Sequence, residues 1–521
     1  MASLPVPAIP MMVSTINVDV LSRRAWNDRV PMHRLPAEIF ILIFLYAQSA
    51  VFPGRKGHMA SVLSGVSHYW RVVALSSQDL WGTIDFTNVD RVHEYLARSG
   101  VSILSVYLKT TSEKLNPIVP LLLPKLPRVE VLQLEFTGAN SREFVEVEMD
   151  KNWAQSTPHL TNVSLSYFWI PENHFVTTAP GLRSLKLEHC NIDLTGLRGL
   201  NLVKLSLMNL EHGTACEEIL AELQNLPELE ELDLQDVMYG GITPLSQRIH
   251  LPRLRNLNLG GVPCHTLLCF LNSISFPKDT NIATYGENTT AMPLVITAFQ
   301  NCMGGDQWKL VKAIVRCDEL NVSFEMLRIG HDEDFKSTNI TCSWERSENV
   351  PGPYEVERIL TSFDISLLLH LELSSNNDTP LPIDIWDGLF TSALGLKKLM
   401  LYGGYADSFI QAFAPSNNPL MGIILQNLTG NPQGLLQSLK FPILKTLKLQ
   451  RVNDGWTEAA GPWPGDPAVF ATLMQTRKIL GMNLSTMITV GYDLPVPFMQ
   501  SMDQCVDSFR SYREWRMGID E

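Results

Sequence analysis

PELEELDL, residues 227–234, and PRLRNLNL, residues 252–259, follow one pattern: proline, any residue, an apolar residue, two variable residues, an apolar residue, any residue, leucine. The same pattern returns in PRVEVLQL from Pro127, PHLTNVSL from Pro158, PGLRSLKL from Pro180 and PILKTLKL from Pro442. Proline stops what precedes it and fixes an extended lead-in. The closing apolar, variable, leucine triplet alternates with period two, as a strand with one buried face must. Weaker copies without the proline lie at Leu202–Leu207, Leu368–Leu373, Leu396–Leu401 and Ile423–Leu425.

Spacing separates a repeat array from a mere excess of leucine. The penultimate apolar positions, Leu132, Val163, Leu185, Leu205, Leu232 and Leu257, are 31, 22, 20, 27 and 25 residues apart, and Leu371, Leu399, Ile423 and Leu447 are 28, 24 and 24 apart. Most of these steps fall in the window of leucine-rich repeats. One such unit cannot bury its leucine face alone, so neighbours must stack. The fold class expected is therefore α/β, with a curved leucine-rich-repeat solenoid over residues 126–495 and a parallel sheet on its concave side. EEILAELQNL, Glu217–Leu226, carries Ile219, Leu220, Leu223 and Leu226 at helical spacing and fits a covering helix. Between Leu257 and Leu371 the pattern is thin. Strands are expected near Ile282, Val322 and Ile340, and the repeat count there is left open.

The N-terminal part is a helical module. HRLPAEIFILIFLYAQ, His33–Gln48, runs from a Leu-Pro start into an apolar helix, with Pro36 where a first helical turn tolerates it. A Gly/Pro loop separates it from ASVLSGVSHYWRVVALSSQDLW, which reads as two short helices ending at Trp81. About fifty residues arranged this way have more apolar surface than they can hide internally. The expected layout is a flexible leader over 1–30, the helical module over 31–82, a linker and first solenoid segment over 83–125, the solenoid, and a C-terminal helix or cap over 496–521. The last rests on CVDSFRSYREWR, Cys505–Arg516, where Phe509, Tyr512 and Trp515 fall three apart on one helical face. MITVGYDL, Met487–Leu494, reads as a last strand.

Leu35, Pro36, Glu38 and Ile39, then Ile43 and Phe44, then Val66, Trp70, Arg71, Val73 and Ala74, and finally Leu80 and Trp81 resemble an F-box. Ser67 and His68 depart mildly from that motif. The long spacer Ser49–Met59 and the following segment Arg91–Leu108 resemble F-box proteins of mushroom-forming fungi. The resemblance implies a three-helix F-box at the head of the solenoid, docked on a Skp-type adaptor and through it on a cullin scaffold. The implied adaptor-binding residues are Leu35, Pro36, Ile39, Ile43, Val66 and Trp70. The first four supply an apolar anchor of the helix-in-groove kind, while Phe44 and Trp70 also tie the helices together. The alternative reading of this stretch is a helical cap closing the solenoid.

In each repeat the variable residue of the triplet faces out on the concave side: Gln133, Ser164, Lys186, Ser206, Asp233, Asn258, Glu372, Met400 and Lys448. This chemistry is mixed, which fits a protein target collectively bound. A nucleic-acid partner is not expected, because the chain carries 41 Lys plus Arg against 54 Asp plus Glu, a formal charge of −13. At 45% hydrophobic content, disorder is excluded. No membrane association is expected: the longest apolar run, Ile39–Ala47, is about half of a spanning helix.

Catalytic signatures are missing: the chain contains no GxGxxG, no Gly-Lys dipeptide, no HExxH and no GxSxG. The chain is therefore expected to be non-catalytic and to use no cofactor. Cys264, His265 and Cys269 lack a fourth ligand and paired spacing for zinc. Cys190, three residues after Leu187, stands where such repeats bond the turn backbone. Eight scattered cysteines without a CxxC pair fit a reducing compartment, cytoplasm or nucleus. The sequons at Asn162, Asn288, Asn321, Asn339, Asn377, Asn427 and Asn483 favour the competing reading of an extracellular recognition protein. The leading expectation is the substrate-recognition subunit of an SCF-type ubiquitin ligase, and the other alternative is an interaction scaffold without that role.

Overall fold

A computed structural model of the chain describes residues 29–51, 56–85, 87–111, 117–136, 156–170, 178–210, 213–240, 248–277, 280–286, 292–302, 310–317, 321–328, 339–345, 368–375, 380–413, 441–451 and 461–512, with a few isolated positions besides. The fold is mixed α/β with parallel sheets. It divides into two compact units, Met1–His212 and Gly213–Glu521.

The first unit opens with α1 (Ala37–Ser49), α2 (Lys56–Val66) and α3 (His68–Ser76), followed by α4 (Val89–Arg98). Its sheet is parallel throughout, in the order β1 (Thr83–Ile84), β2 (Leu104–Thr110), β3 (Val129–Phe136), β4 (Asn162–Ser166), β5 (Ser184–Glu188) and β6 (Lys204–Met208). Leu132, Val163, Leu185 and Leu205 stand in one register row and Leu134, Leu165, Leu187 and Leu207 in the next, all of them buried. Each such side chain removed from water contributes about 1.5–3 kcal/mol. A strand beside its neighbour completes a layer that it could not form alone.

The second unit carries β7 (Glu231–Gln235), β8 (Asn256–Gly260), β9 (Asn281–Gly286), β10 (Leu310–Cys317), β11 (Asn321–Arg328), β12 (Asn339–Glu345), β13 (His370–Ser375), β14 (Lys398–Tyr402), β15 (Thr446–Gln450), β16 (Thr486–Val490) and β17 (Ser508–Tyr512). Spatial order departs from chain order at one place. β9 pairs with β12, β12 with β11, β11 with β10, and β10 with β13. β11 alone is antiparallel, so the thin middle of the sequence holds an up-and-down insert inside a parallel sheet. The strands expected near Ile282, Val322 and Ile340 are β9, β11 and β12, and β10 was not anticipated. The strand expected at Ile423 lies outside the described residues, and Leu399 pairs directly with Leu447.

The repeated proline has a sharper role than an extended lead-in. In all six copies it occupies the second position of a turn closed by a backbone hydrogen bond. Leu160 N–H donates to Thr157 at 3.1 Å, Leu182 to Ala179 at 3.0 Å, Leu229 to Leu226 at 3.3 Å, Leu254 to Leu251 at 3.3 Å and Leu444 to Phe441 at 3.1 Å, and Val129 donates likewise to Leu126. Proline presets φ for that turn position. Where proline is missing, Leu197–Leu200 makes the same turn with Gly199 at φ 88°, the glycine position of a type II turn.

A second device, invisible in the repeat pattern, closes seven of the described strands. Tyr167, His189, Asn209, Asp236, Gly261, Gly403 and Gly491 each follow a strand directly and take positive φ. Tyr167 N–H donates to Glu188 O at 2.9 Å, His189 to Met208 at 2.9 Å, Asp236 to Gly260 at 2.9 Å, Gly403 to Gln450 at 2.9 Å and Gly491 to Tyr512 at 2.9 Å. The left-handed residue thus turns the chain away while adding one further rung. Cys190 Sγ bonds the carbonyls of Leu165 and Glu188, both at 3.4 Å, at the next position of its turn.

The C-terminal expectation needs correcting. The helix of that region is Val496–Cys505, and Ser508–Tyr512 is strand β17, paired in parallel with β16. Phe509 stands beside Met487, so the spacing of Phe509 and Tyr512 reflects opposite strand faces and not a helical stripe. Trp515 lies outside the described residues.

Candidate functional site

Two surfaces hold the residues singled out by sequence. The first is built on α1. Pro36 is its N-cap, and its carbonyl accepts the amides of Ile39 at 3.1 Å and Phe40 at 3.3 Å. One stripe of the helix, Phe40, Phe44 and Gln48, spaced by four, is buried, with Gln48 Nε2 donating to Leu80 O at 3.2 Å. Phe40 meets Phe44, Tyr69 and Trp70 at ring separations of 5.6, 5.3 and 5.6 Å. Such edge-on aromatic pairs add about 0.5–1.5 kcal/mol each beyond burial.

The partner helices are fixed to this stripe by polar bonds. Ser67 caps α3 by accepting the Trp70 amide at 3.1 Å, and Tyr69 Oη donates to Leu35 O at 3.0 Å. Trp81 Nε1 donates to Ala74 O at 2.8 Å. Below them, Tyr95 Oη donates to Gly57 O at 2.6 Å, and burial pushes its phenol above the usual range. Asp85 accepts the Gly57 amide at 2.7 Å, while burial raises its carboxyl. A Cβ at Gly57 would overlap Asp85 Oδ1 and lie 2.9 Å from the backbone oxygen of Thr83, so this helix start tolerates only glycine without rearrangement.

The opposite stripe of α1 faces solvent with apolar residues: Ile39, Leu42, Ile43 and Tyr46, the last two turns reaching 63% exposure at Leu42 and 78% at Tyr46. Leu35 and Val66 are exposed, as are Val62 on α2 and Val72 and Leu75 on α3. The structure therefore divides the motif in two. Leu35, Pro36, Ile39, Ile43 and Val66 are open to a partner, whereas Phe44, Val73, Ala74, Leu80 and Trp81 are interior. Trp70 is half-buried, with its ring 5.1 Å from that of Phe44, so its bulk serves the bundle more than the surface. Sequence reasoning missed Leu42 and Tyr46, although the spacing Ile39, Leu42, Ile43, Tyr46 is a helical stripe.

The second surface is the row of side chains that alternate with the buried leucines. Tyr107, Gln133, Ser164, Lys186 and Ser206 lie side by side in the first unit. In the second, Asp233 lies beside Asn258, and Glu372, Met400, Lys448, Ile488 and Arg510 form a run. All the residues expected on this row occupy it, and all but one are half-exposed. Met400, at 7% exposure, is the exception: it keeps the register of the row but is covered. Tyr107, Ile488 and Arg510 were missed.

Charges on the first unit's row are answered locally. Lys109 meets Glu135 at 3.2 Å and Lys186 meets Glu188 at 3.7 Å. Partial burial pushes the Glu135 carboxyl up, but the Gln133 hydrogen bond at 2.6 Å and the charges of Lys109 and Lys186 outweigh it, so the group titrates below its usual range. Asp233 is held by the amides of Gln235 and Asn258, each at 2.9 Å.

Among the described residues no three His, Cys, Asp or Glu side chains gather as a metal site, and no helix is long and apolar enough to cross a membrane. The cysteines Cys190, Cys216, Cys264, Cys269, Cys302 and Cys505 are free thiols. No family model matches the chain, and no curated protein matches it either.

Proposed function

We propose that the chain is the substrate-recognition subunit of an SCF-type ubiquitin ligase, with an F-box in its N-terminal helices and leucine-rich repeats in its strand ladder. The observation that carries this reading is the solvent-facing stripe of α1. An amphipathic helix earns its place in a monomer by burying its apolar face, yet Ile39, Leu42, Ile43 and Tyr46 stay open on a helix whose other face is already satisfied. Exposed apolar stripes of this kind mark protein docking sites. Their coincidence with the motif residues Leu35, Pro36, Ile39, Ile43 and Val66 points to a Skp-type adaptor as the occupant, joined in turn to a cullin scaffold. The sheet row then takes the protein target, and the chain contributes proximity and orientation while its partners make and break bonds. The buried free thiols fit residence in cytoplasm or nucleus.

Co-purification with a Skp-type adaptor tests this. The full chain is expected to capture the adaptor stoichiometrically, and Leu35→Ala with Pro36→Ala is expected to weaken capture at least tenfold while the far-ultraviolet circular dichroism stays unchanged. Undiminished capture by the folded double variant would remove the contact assignment, and no capture by the natural chain would remove the reading. A scaffold without ligase function is distinguished by a target that binds the row yet gains no ubiquitin in the reconstituted complex.

A further inference from the structure

The sheet face over β13–β17 has an electrostatic character opposite to that of the chain. Three register rows cross these strands: His370, Lys398, Thr446, Thr486, Ser508; then Glu372, Met400, Lys448, Ile488, Arg510; then Ser374, Tyr402, Gln450, Val490, Tyr512. They carry three permanent cations, Lys398, Lys448 and Arg510, against one carboxylate, Glu372, in a protein of formal charge −13. In the first unit the face lysines Lys109 and Lys186 each have a glutamate within 3.7 Å. Here, among the described residues, none of the three cations has a carboxylate at ion-pair distance, and the Lys448 ammonium rests over the Tyr402 ring, 5.3 Å from its centre. The nearby carboxylates are engaged elsewhere: Asp407 accepts the Tyr492 hydroxyl at 2.7 Å and faces Arg451 at 3.8 Å, and Asp507 accepts from Asn483 at 2.9 Å.

Resting on the target-binding role of the sheet row, we propose that this face binds an acidic segment of a protein target, running across the strands in an extended, polyproline-II-like form with a carboxylate at every third residue. The geometry sets the spacing. Lys448 and Arg510 lie two strands apart, about 10 Å, and three residues of polyproline II advance about 9 Å while returning side chains to the same face. Ile488, half-exposed between the two cations, gives the segment an apolar seat, which suits a peptide with intervening apolar residues. A nucleic acid is the weaker occupant: three cations separated by apolar side chains neutralise few phosphates, and the net charge of the chain opposes a polyanion at longer range.

Fluorescence anisotropy on the full chain tests the proposal without any adaptor, so its failure is distinct from failure of the α1 assignment. The probes are fluorescein-labelled (Glu-Leu-Pro)4, (Lys-Leu-Pro)4 and a twelve-nucleotide single strand. The glutamate peptide is expected to bind at least tenfold tighter than the other two, and more weakly as salt rises. Lys448→Glu with Arg510→Glu is expected to reverse the peptide preference. Lys448→Gln with Arg510→Gln, the milder pair should the reversal fail to fold, is expected to weaken the glutamate peptide at least tenfold. Arg253→Gln, which removes an exposed cation outside the sheet row that is already paired with Glu228, is expected to change binding less than twofold. Equal binding of the two peptides, tighter binding of the oligonucleotide, or full binding by the folded glutamine pair would overturn the proposal.

Discussion

Thr489 hides a hydroxyl where Leu449, its neighbour in the row, hides methyl groups. It is fully buried, stands beside Leu449, and its Oγ1 has no hydrogen-bond partner. Thr284, beside Leu259, is in the same position. An unanswered buried hydroxyl costs about 1–3 kcal/mol, and valine has the same shape without it. Thr489→Val is therefore expected to raise unfolding stability by about 1 kcal/mol, read as a higher urea midpoint at unchanged slope; a lower midpoint would show that the hydroxyl is answered. The thiols offer a second residue-scale prediction. Burial pushes Cys190 up to about 11 and Cys216 and Cys302 to about 12, so at pH 8 all three are protonated and enclosed. Among the described cysteines Cys264, only partly enclosed, is expected to be alkylated first by iodoacetamide in the native protein, with Cys216 and Cys302 modified only on unfolding. Mass spectrometry of timed samples decides; early labelling of Cys302 would contradict the packing described.

At the scale of elements, α1 separates stability from binding along its two faces. Phe40→Ala removes a ring at zero exposure from a cluster of four aromatics and is expected to cost about 3–5 kcal/mol. Tyr46→Ala removes an exposed ring and is expected to shift stability by less than about 0.5 kcal/mol while weakening adaptor capture. Thermal melts paired with capture assays check both, and equal loss of stability in the two variants would mean that the exposed stripe is packed in solution. How much of each element was legible follows from the same physics. The strands led by Pro-x-Leu could be read because proline and alternating leucines are local signals. The positive-φ residues behind them could not, because Tyr167, His189 and Asp236 are not glycine and their conformation is imposed by the rung to the next strand. β17 was misread because Phe509 and Tyr512, three apart within five residues, fit a helix as well as a strand, and only pairing with β16 decides.

For the whole molecule, the contrast lies between what repeats and what does not. Register rows of leucine follow from a repeated sequence, whereas the antiparallel β11 breaks the order in a stretch with no repeat to announce it. The N-terminal helices are likewise continuous with the strands that follow in the first unit. The Trp81 ring packs at 4.8 Å against Tyr95, the Arg98 guanidinium lies 4.3 Å over the same indole, and Tyr95 reaches back to Gly57 on α2. A chain beginning at Thr83 would thus do more than lose the proposed adaptor site. It would uncover Val92, Tyr95 and Leu96, all buried in the full protein, at about 1.5–3 kcal/mol for each large apolar side chain returned to water. Such a chain is expected to melt several degrees lower and to show fast amide exchange across α4 and β2, while exchange over β13–β17 stays slow. The Leu35→Ala, Pro36→Ala variant is expected to leave both regions protected. Equal protection of α4 in the shortened chain would mean that the helices are an appended module, and adaptor deletion could then be studied by truncation instead of by substitution.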